Sequence, residues 1–177
     1  MIGLIGINHQ IADIEKRSAF ALTSGEASLI VEDWIACHFV KGAVILSTCN
    51  RVEIYYDVET TCPAAVEQKL IHSLLSNLEL SVRYGEYLMK LRDADAYEHL
   101  FRLASGLESM VIGETQILGQ LKEAYRMASL SGHCSGVLSR LFHRAFEVAK
   151  RVRSEYILSS TPISAGSAAV DKLFSLP

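Results

Sequence analysis

The chain has 177 residues, half of them hydrophobic and 21% charged, with a formal net charge of -3. That composition fits one globular domain, or one domain and part of a second, and it excludes both a disordered chain and a polycation. Contact with nucleic acid would therefore need a local basic patch or residues beyond this sequence.

The chain opens on Met1-Ile2-Gly3-Leu4-Ile5-Gly6-Ile7, which has no basic flank and is broken at once by Asn8-His9-Gln10. It reads as a buried strand and not as a signal peptide. No run approaches the ~20 apolar residues of a bilayer span, so the expected compartment is the cytoplasm and no membrane is involved. Residues 25–39 follow with helical spacing of Leu29, Ile30, Trp34 and Ile35. Ala43-Val44-Ile45-Leu46 is a short apolar strand, and residues 52–58 alternate as its hairpin partner. Pro63 opens a second helix over 64–75, and residues 84–91 are expected as a fourth strand. The order βαββαβ predicts an α+β fold, the split βαβ of a ferredoxin-like sandwich, over residues 1–91.

A helical segment is expected over 92–156. Asp93 can cap a first helix carrying Ala96, Tyr97, Leu100, Leu103 and Ala104. A second starts near Thr115 and shows Ile117, Leu118, Leu121, Ala124, Tyr125 and Ala128, and Ser131-Gly132 stops it. A third, over 136–155, lines up Leu138, Leu141, Phe142, Ala145, Val148, Ala149 and Val152 on one stripe. Arg140, Arg144 and Arg151 lie opposite, a solvated helix face or a surface for RNA. Residues 157–177 begin with the small, polar Ser159-Ser160-Thr161-Pro162 and read as a linker and the start of another helix.

Chemistry concentrates in two places. In Ser47-Thr48-Cys49-Asn50-Arg51 an apolar strand runs into a thiol set among hydroxyl, amide and guanidinium groups. A nearby arginine favours the thiolate, the attacking form, whereas most free cysteines are inert core residues. Cys37, Cys62 and Cys134 lack such company, and the spacing of the four cysteines signals neither a disulfide framework nor zinc. The second place is residues 104–120, where Ser105-Gly106 and Gly113 bracket a loop opening a helix at Glu114-Thr115-Gln116. A helix start can hold a carboxylate or phosphate on its free N–H groups. Gln116 and Gln120, four apart, share one helical face. His99 on the preceding helix is a structural histidine or a proton carrier, and His9 lies where it could approach the sheet end of Cys49. No GxGxxG or GxxxxGK[ST] occurs, so no dinucleotide fold is encoded here.

Three segments together resemble the glutamyl-tRNA reductases: Gly6-Ile7-Asn8-His9, STCNRVEIY from Ser47, and SGLESMVIGETQILGQLKEAY from Ser105. FHRAFEVAKRVRSE from Phe142 extends the similarity over nearly the whole chain. The resemblance implies reduction of glutamyl-tRNA to glutamate-1-semialdehyde with NADPH, the first step of tetrapyrrole synthesis from glutamate. Cys49 would be the nucleophile that forms a thioester, and His99 would serve activity, in proton transfer. Thr48, Asn50, Arg51, Ser109, Glu114, Thr115, Gln116 and Gln120 would form the glutamyl pocket, with the Arg51 fork suited to a carboxylate. The family also implies a homodimer and a partnership with the glutamate-1-semialdehyde aminomutase. It binds NADPH on a domain expected after the linker, so residues 1–156 are expected to be the catalytic domain alone, with no cofactor or metal site of their own. After Asn8-His9 the family has a more basic stretch where Ile11-Ala12-Asp13-Ile14 stands here.

Two readings from other classes compete. A ferredoxin-like RNA-binding module would show an aromatic-rich strand of the RNP1 kind, which is missing, and a thiol hydrolase would pair Cys49 with His99 as base.

Overall fold

The computed structural model describes residues 1–109 and 116–156. Its sheet has four antiparallel strands in the order β2-β3-β1-β4, formed by β1 (Ile2–Asn8), β2 (Gly42–Ser47), β3 (Arg51–Asp57) and β4 (Met89–Arg92). With α2 (Ser24–Ala36) and α3 (Pro63–Asn77) as crossovers, this is the expected ferredoxin-like split βαβ. All seven residues of β1 and all seven of β3 are buried, as befits the two inner strands.

Both faces of β1 are apolar, so each needs a cover. Ile5 and Ile7 face a core built with Phe20, Ile30, Trp34, Leu70 and Leu74. Ile2 and Leu4 face a second core shared with α4 (Ala94–Ala104), α5 (Gln116–Leu130) and α6 (Gly136–Tyr156). The helical segment is thus the third layer on the sheet's other face. Of the predicted stripes, Ala96, Leu100, Leu103 and Ala104 on α4 and Leu138, Phe142, Ala145 and Ala149 on α6 are buried, while Tyr97, Leu141, Val148 and Val152 are half-buried.

Two local expectations are corrected. Residues 84–91 are not one strand: Val82–Tyr87 form a 3₁₀ helix, and only Met89–Arg92 pair with β1. Tyr84 packs on Phe20 with ring centroids 6.0 Å apart, and also on Tyr87, so aromatic packing below α3 overrides the alternating pattern. Asp93 does not cap α4 through its side chain. Its Oδ1 accepts from the Ile2 N–H at 3.0 Å and its own N–H donates to the Ile2 carbonyl at 2.8 Å, clipping the start of β1 to the end of β4. The departing stretch, Ile11 to Ile14, leads into a short helix, α1 (Ile14–Ala19), capped by Asp13 accepting from the Lys16 N–H.

Candidate active site

Cys49 lies at the turn of the β2–β3 hairpin. The Thr48 N–H donates to the Arg51 carbonyl at 2.8 Å, and Thr48 Oγ1 accepts from the N–H groups of Asn50 and Arg51 at 3.3 and 3.2 Å. This is what a threonine at the head of a turn does: its hydroxyl takes up donors that the ladder has released. The Asn50 carbonyl accepts from the His9 N–H at 3.0 Å, which ties the turn to the end of β1. The backbone is therefore fixed on both sides, while the Cys49 side chain is exposed.

Behind the turn, β3 sends Arg51, Glu53 and Tyr55 to the face covered by α4, α5 and α6. All three are buried. Arg51 Nη1 lies 2.7 Å from Glu53 Oε1, and Nη2 donates to the Glu108 carbonyl. Tyr55 donates to Glu53 Oε2 at 2.7 Å, and His99 Nε2 comes down from α4 to 3.0 Å from Glu53 Oε1. One buried carboxylate thus organises an arginine, a histidine and a phenol. Burial pushes the Glu53 carboxyl up, but His99, Arg51 and Tyr55 together outweigh it, and the net direction is down. The Tyr55 phenol is raised, first by burial and then by Glu53.

Loop residue Glu108 closes the arrangement. Its carboxylate takes Arg102 Nε at 2.6 Å while its carbonyl holds Arg51. A small cleft in front is lined by Thr48, Cys49, Asn50, Arg51, Ser109, Gln116, Ile117 and Gln120. Arg51 Nε and Ser109 Oγ are buried there without a hydrogen-bond partner among the described residues. Buried polar atoms are nearly always paired, so these two are the donors of the cleft wall left open among the described residues.

Seven of the ten residues singled out in the sequence therefore converge on one cleft. Glu114 and Thr115 lie outside the described residues. His99 does not line the cleft and meets it only through Glu53 and Arg51. The Arg51 fork, expected to be open for a carboxylate, is engaged by Glu53 and Glu108. Glu53 itself was missed, although its signal was available: a carboxylate between Arg51 and Tyr55 on the same alternation of an otherwise apolar strand. His9 sits at the same sheet end through its backbone; burial and then Arg51 and Arg17 lower its imidazole pKa. Arg144 and Arg151 pair along their own helix with Glu147 and Glu155, as a solvated face does. Among the described residues no group of three ligands could hold a metal, and no helix is long and apolar enough to cross a membrane.

A family model described as Glutamyl-tRNAGlu reductase, N-terminal domain, matches residues 5–156. The chain is 42% identical over 172 residues to a glutamyl-tRNA reductase of Lawsonia intracellularis, covering 96% of this chain and 38% of that protein. A glutamyl-tRNA reductase of Solibacter usitatus is 42% identical over 170 residues, with coverage of 95% and 40%. Among solved structures, the glutamyl-tRNA reductase from Methanopyrus kandleri superposes with a TM-score of 0.75 at 35% identity, over 97% of this chain and 39% of that one. The chain spans about two-fifths of the length of these relatives. With similarity running through both the sheet and the helical layer, the chain belongs to the glutamyl-tRNA reductase family, to whose N-terminal domain it corresponds.

Proposed function

We propose that this chain captures the glutamyl group of glutamyl-tRNA as a thioester on Cys49, the covalent step of a reductase serving tetrapyrrole synthesis. The observation that carries this reading is the cleft in which an exposed thiol on a fixed turn stands among Thr48, Asn50, Arg51, Ser109, Gln116 and Gln120. In the reaction the Cys49 sulfur attacks the carbonyl carbon of the aminoacyl ester. A C–S bond forms, the ester C–O bond breaks, and the thiol proton ends on the ribose oxygen of the departing tRNA. Capture splits one hard reduction into two easier steps, because a thioester is a better hydride acceptor than an ester or acid.

The pocket residues act by holding the glutamyl group. Gln116 and Gln120 offer amides from one face of α5. In the cleft wall, Ser109 Oγ and Arg51 Nε are buried without a hydrogen-bond partner among the described residues. The other Arg51 nitrogens are committed to Glu53 and Glu108, so its role is to fix the cleft wall as well as to contact substrate. His99 lies behind the cleft and acts on it as a positioning residue, holding Glu53 and through it Arg51.

The described residues do not fit a nicotinamide dinucleotide. The sheet is antiparallel throughout, without the crevice of a parallel doubly wound sheet, and no glycine-rich phosphate loop follows a strand. The chemistry these residues carry ends at the thioester.

The test is to quench the chain with glutamyl-tRNA in acid and map the adduct by mass spectrometry. A glutamyl mass on the peptide holding Cys49 is expected. No adduct, or one on another cysteine, overturns the reading.

A further inference from the structure

Charge is divided unevenly along the chain. Residues 116–156 carry seven Lys and Arg against three Glu, whereas residues 1–115 carry nine against sixteen Asp and Glu. A protein that is acidic overall thus concentrates positive charge on two helices, α5 and α6, in the layer over the second face of the sheet. Evenly mixed signs would suffice for solubility; segregation to one face is the electrostatic footprint of a polyanionic partner. With a net charge of -3, contact with nucleic acid requires such a local patch.

The cations of this face are not all answered from within it. Arg126, Arg144 and Arg151 pair with Glu123, Glu147 and Glu155 on their own helices, exposed pairs of the weak kind. Lys122, Arg140 and Lys150 are exposed and form no ion pair among the described residues. Arg140 and Lys150 lie about 80° apart around α6 and ~15 Å apart along it. Lys122 reaches across from α5, its ammonium 5.8 Å from the ring centre of Phe146. Beneath it Tyr125, His143 and Phe146 pack edge to face, and the Tyr125 hydroxyl meets His143 Nε2 at 3.0 Å and Ser139 Oγ at 2.8 Å. This ring cluster locks α5 to α6, so the cations stand at a set spacing on a rigid surface.

We propose that the outer face of α5 and α6 docks an RNA phosphate backbone, that of the body of the tRNA whose acylated end is brought to Cys49. The inference rests on the reading that the acyl donor is a tRNA. Lysines take phosphate oxygens as point charges from any direction, and Arg140 adds a planar fork. Contacts of this kind fix the position of a nucleic acid without reading its sequence. One helix joins the two places: the first turns of α5 put Gln116 and Gln120 into the cleft, and its middle carries Lys122. The acidic remainder of the molecule repels the same backbone and leaves this face as its approach.

The experiment measures binding of uncharged tRNA, which offers Cys49 no ester, by fluorescence anisotropy between about 50 and 200 mM salt. Wild type is compared with Lys122→Gln/Arg140→Gln/Lys150→Gln and with Lys69→Gln/Arg83→Gln/Lys90→Gln. The second variant removes the same charge from exposed positions on α3, the 3₁₀ helix and β4. The first is expected to lose about 10-fold or more in affinity, with the slope of log K against log salt shallower by about 2, at roughly 0.7–0.9 per lost contact. The second should keep the wild-type slope. No binding by wild type, an unchanged slope in the first variant, or equal losses in both overturns the surface. Polyglutamate that competes as well as tRNA makes the face a site for acidic protein and overturns the RNA assignment. Independently, bound tRNA should shield Lys122 and Lys150 of the wild-type chain from acetylation while Lys69 and Lys90 stay reactive; unshielded Lys122 and Lys150 overturn the assignment. The thioester reading is tested apart, with the α-ethyl thioester of glutamate, which acylates Cys49 with release of ethanethiol and needs no RNA. Both variants should match wild type with it within twofold. A wild-type chain that neither this donor nor glutamyl-tRNA acylates overturns the thioester reading, while the binding of tRNA still decides the surface.

Discussion

Cys49 is set apart from the other three cysteines by its surroundings, not by exposure alone. Cys37 and Cys62 are also exposed but do not line the cleft of Cys49, while burial raises the half-buried Cys134 thiol. Cys49→Ser should therefore abolish the glutamyl adduct, and Cys37→Ser, Cys62→Ser and Cys134→Ser should keep it, as mass spectrometry of the quenched reaction would show. Arg51 and Glu53 belong together, since each is buried and each is the other's counter-charge. Glu53→Gln keeps the shape and removes the charge, leaving Arg51 uncompensated; a loss of about 3–5 kcal/mol is expected in chemical denaturation. Arg51→Lys keeps the charge but cannot reach Glu53 and the Glu108 carbonyl at once. It should weaken selection of glutamyl-tRNA over glutaminyl-tRNA by about 1–3 kcal/mol, and equal discrimination by mutant and wild type would remove Arg51 from the specificity site. The motif made Cys49 and Arg51 legible in the sequence. Glu53 was hidden because a strand's alternation says which side chains share a face, and not that α4 will bring His99 down upon one of them.

At the scale of elements, the hairpin and the central strand are held by close approaches that only the sheet reveals. Gly3 is the cross-strand partner of Tyr56, and a Cβ on Gly3 would lie 2.2 Å from the ring's Cζ. The ring is fully buried and cannot swing clear, so glycine is required here for room. Gly3→Ala is expected to destabilise by about 1–3 kcal/mol, the usual cost of overpacking. Gly3→Ala with Tyr56→Leu should recover part of that loss, and melting curves of the four proteins of this cycle would show the coupling. If the two losses simply add, the ring contact does not explain the glycine. The expected fourth strand failed for a related reason. Tyr84 and Tyr87 look like strand residues in sequence, yet in a 3₁₀ turn their rings pack on each other, and Tyr84's also on Phe20, leaving only Met89–Arg92 for the ladder.

For the molecule as a whole, two behaviours follow. The Glu53 carboxyl is held below its ordinary value, so its folded state prefers the ionised form. The unfolded chain protonates it near ~4.3. Its contribution is thus fully present above that pH and is lost as pH falls through the lower folded value. Wild-type stability followed by denaturant between pH 6 and pH 3 should fall more steeply than that of Glu53→Gln, and parallel curves would show that Glu53 is not the group responsible. The second behaviour concerns turnover. With a thiol site and no dinucleotide site among the described residues, the 177-residue chain should release glutamate slowly by hydrolysis of its thioester, and added NADPH should leave that rate unchanged. Semialdehyde among the products of radiolabelled glutamyl-tRNA would reveal a nicotinamide site in this chain.

The sequence by itself determined the βαββαβ order of strands and crossover helices, the apolar run of β1 and the turn that presents Cys49, because each depends on neighbours within a few residues. The helical stripes were legible on the same ground, as a 3.6-residue period needs no partner to be seen. Which side chains meet across the fold was decided only by the tertiary structure. Packing α4 on the second face of the sheet placed His99 on Glu53, and the loop at Glu108 closed over Arg51. Setting α5 against the free edge of β2 put Gln116 and Gln120 beside the thiol, and left Gly119 facing open space. Contacts between segments up to about a hundred residues apart have no period or spacing to announce them; they exist because two apolar faces of one sheet each had to be covered.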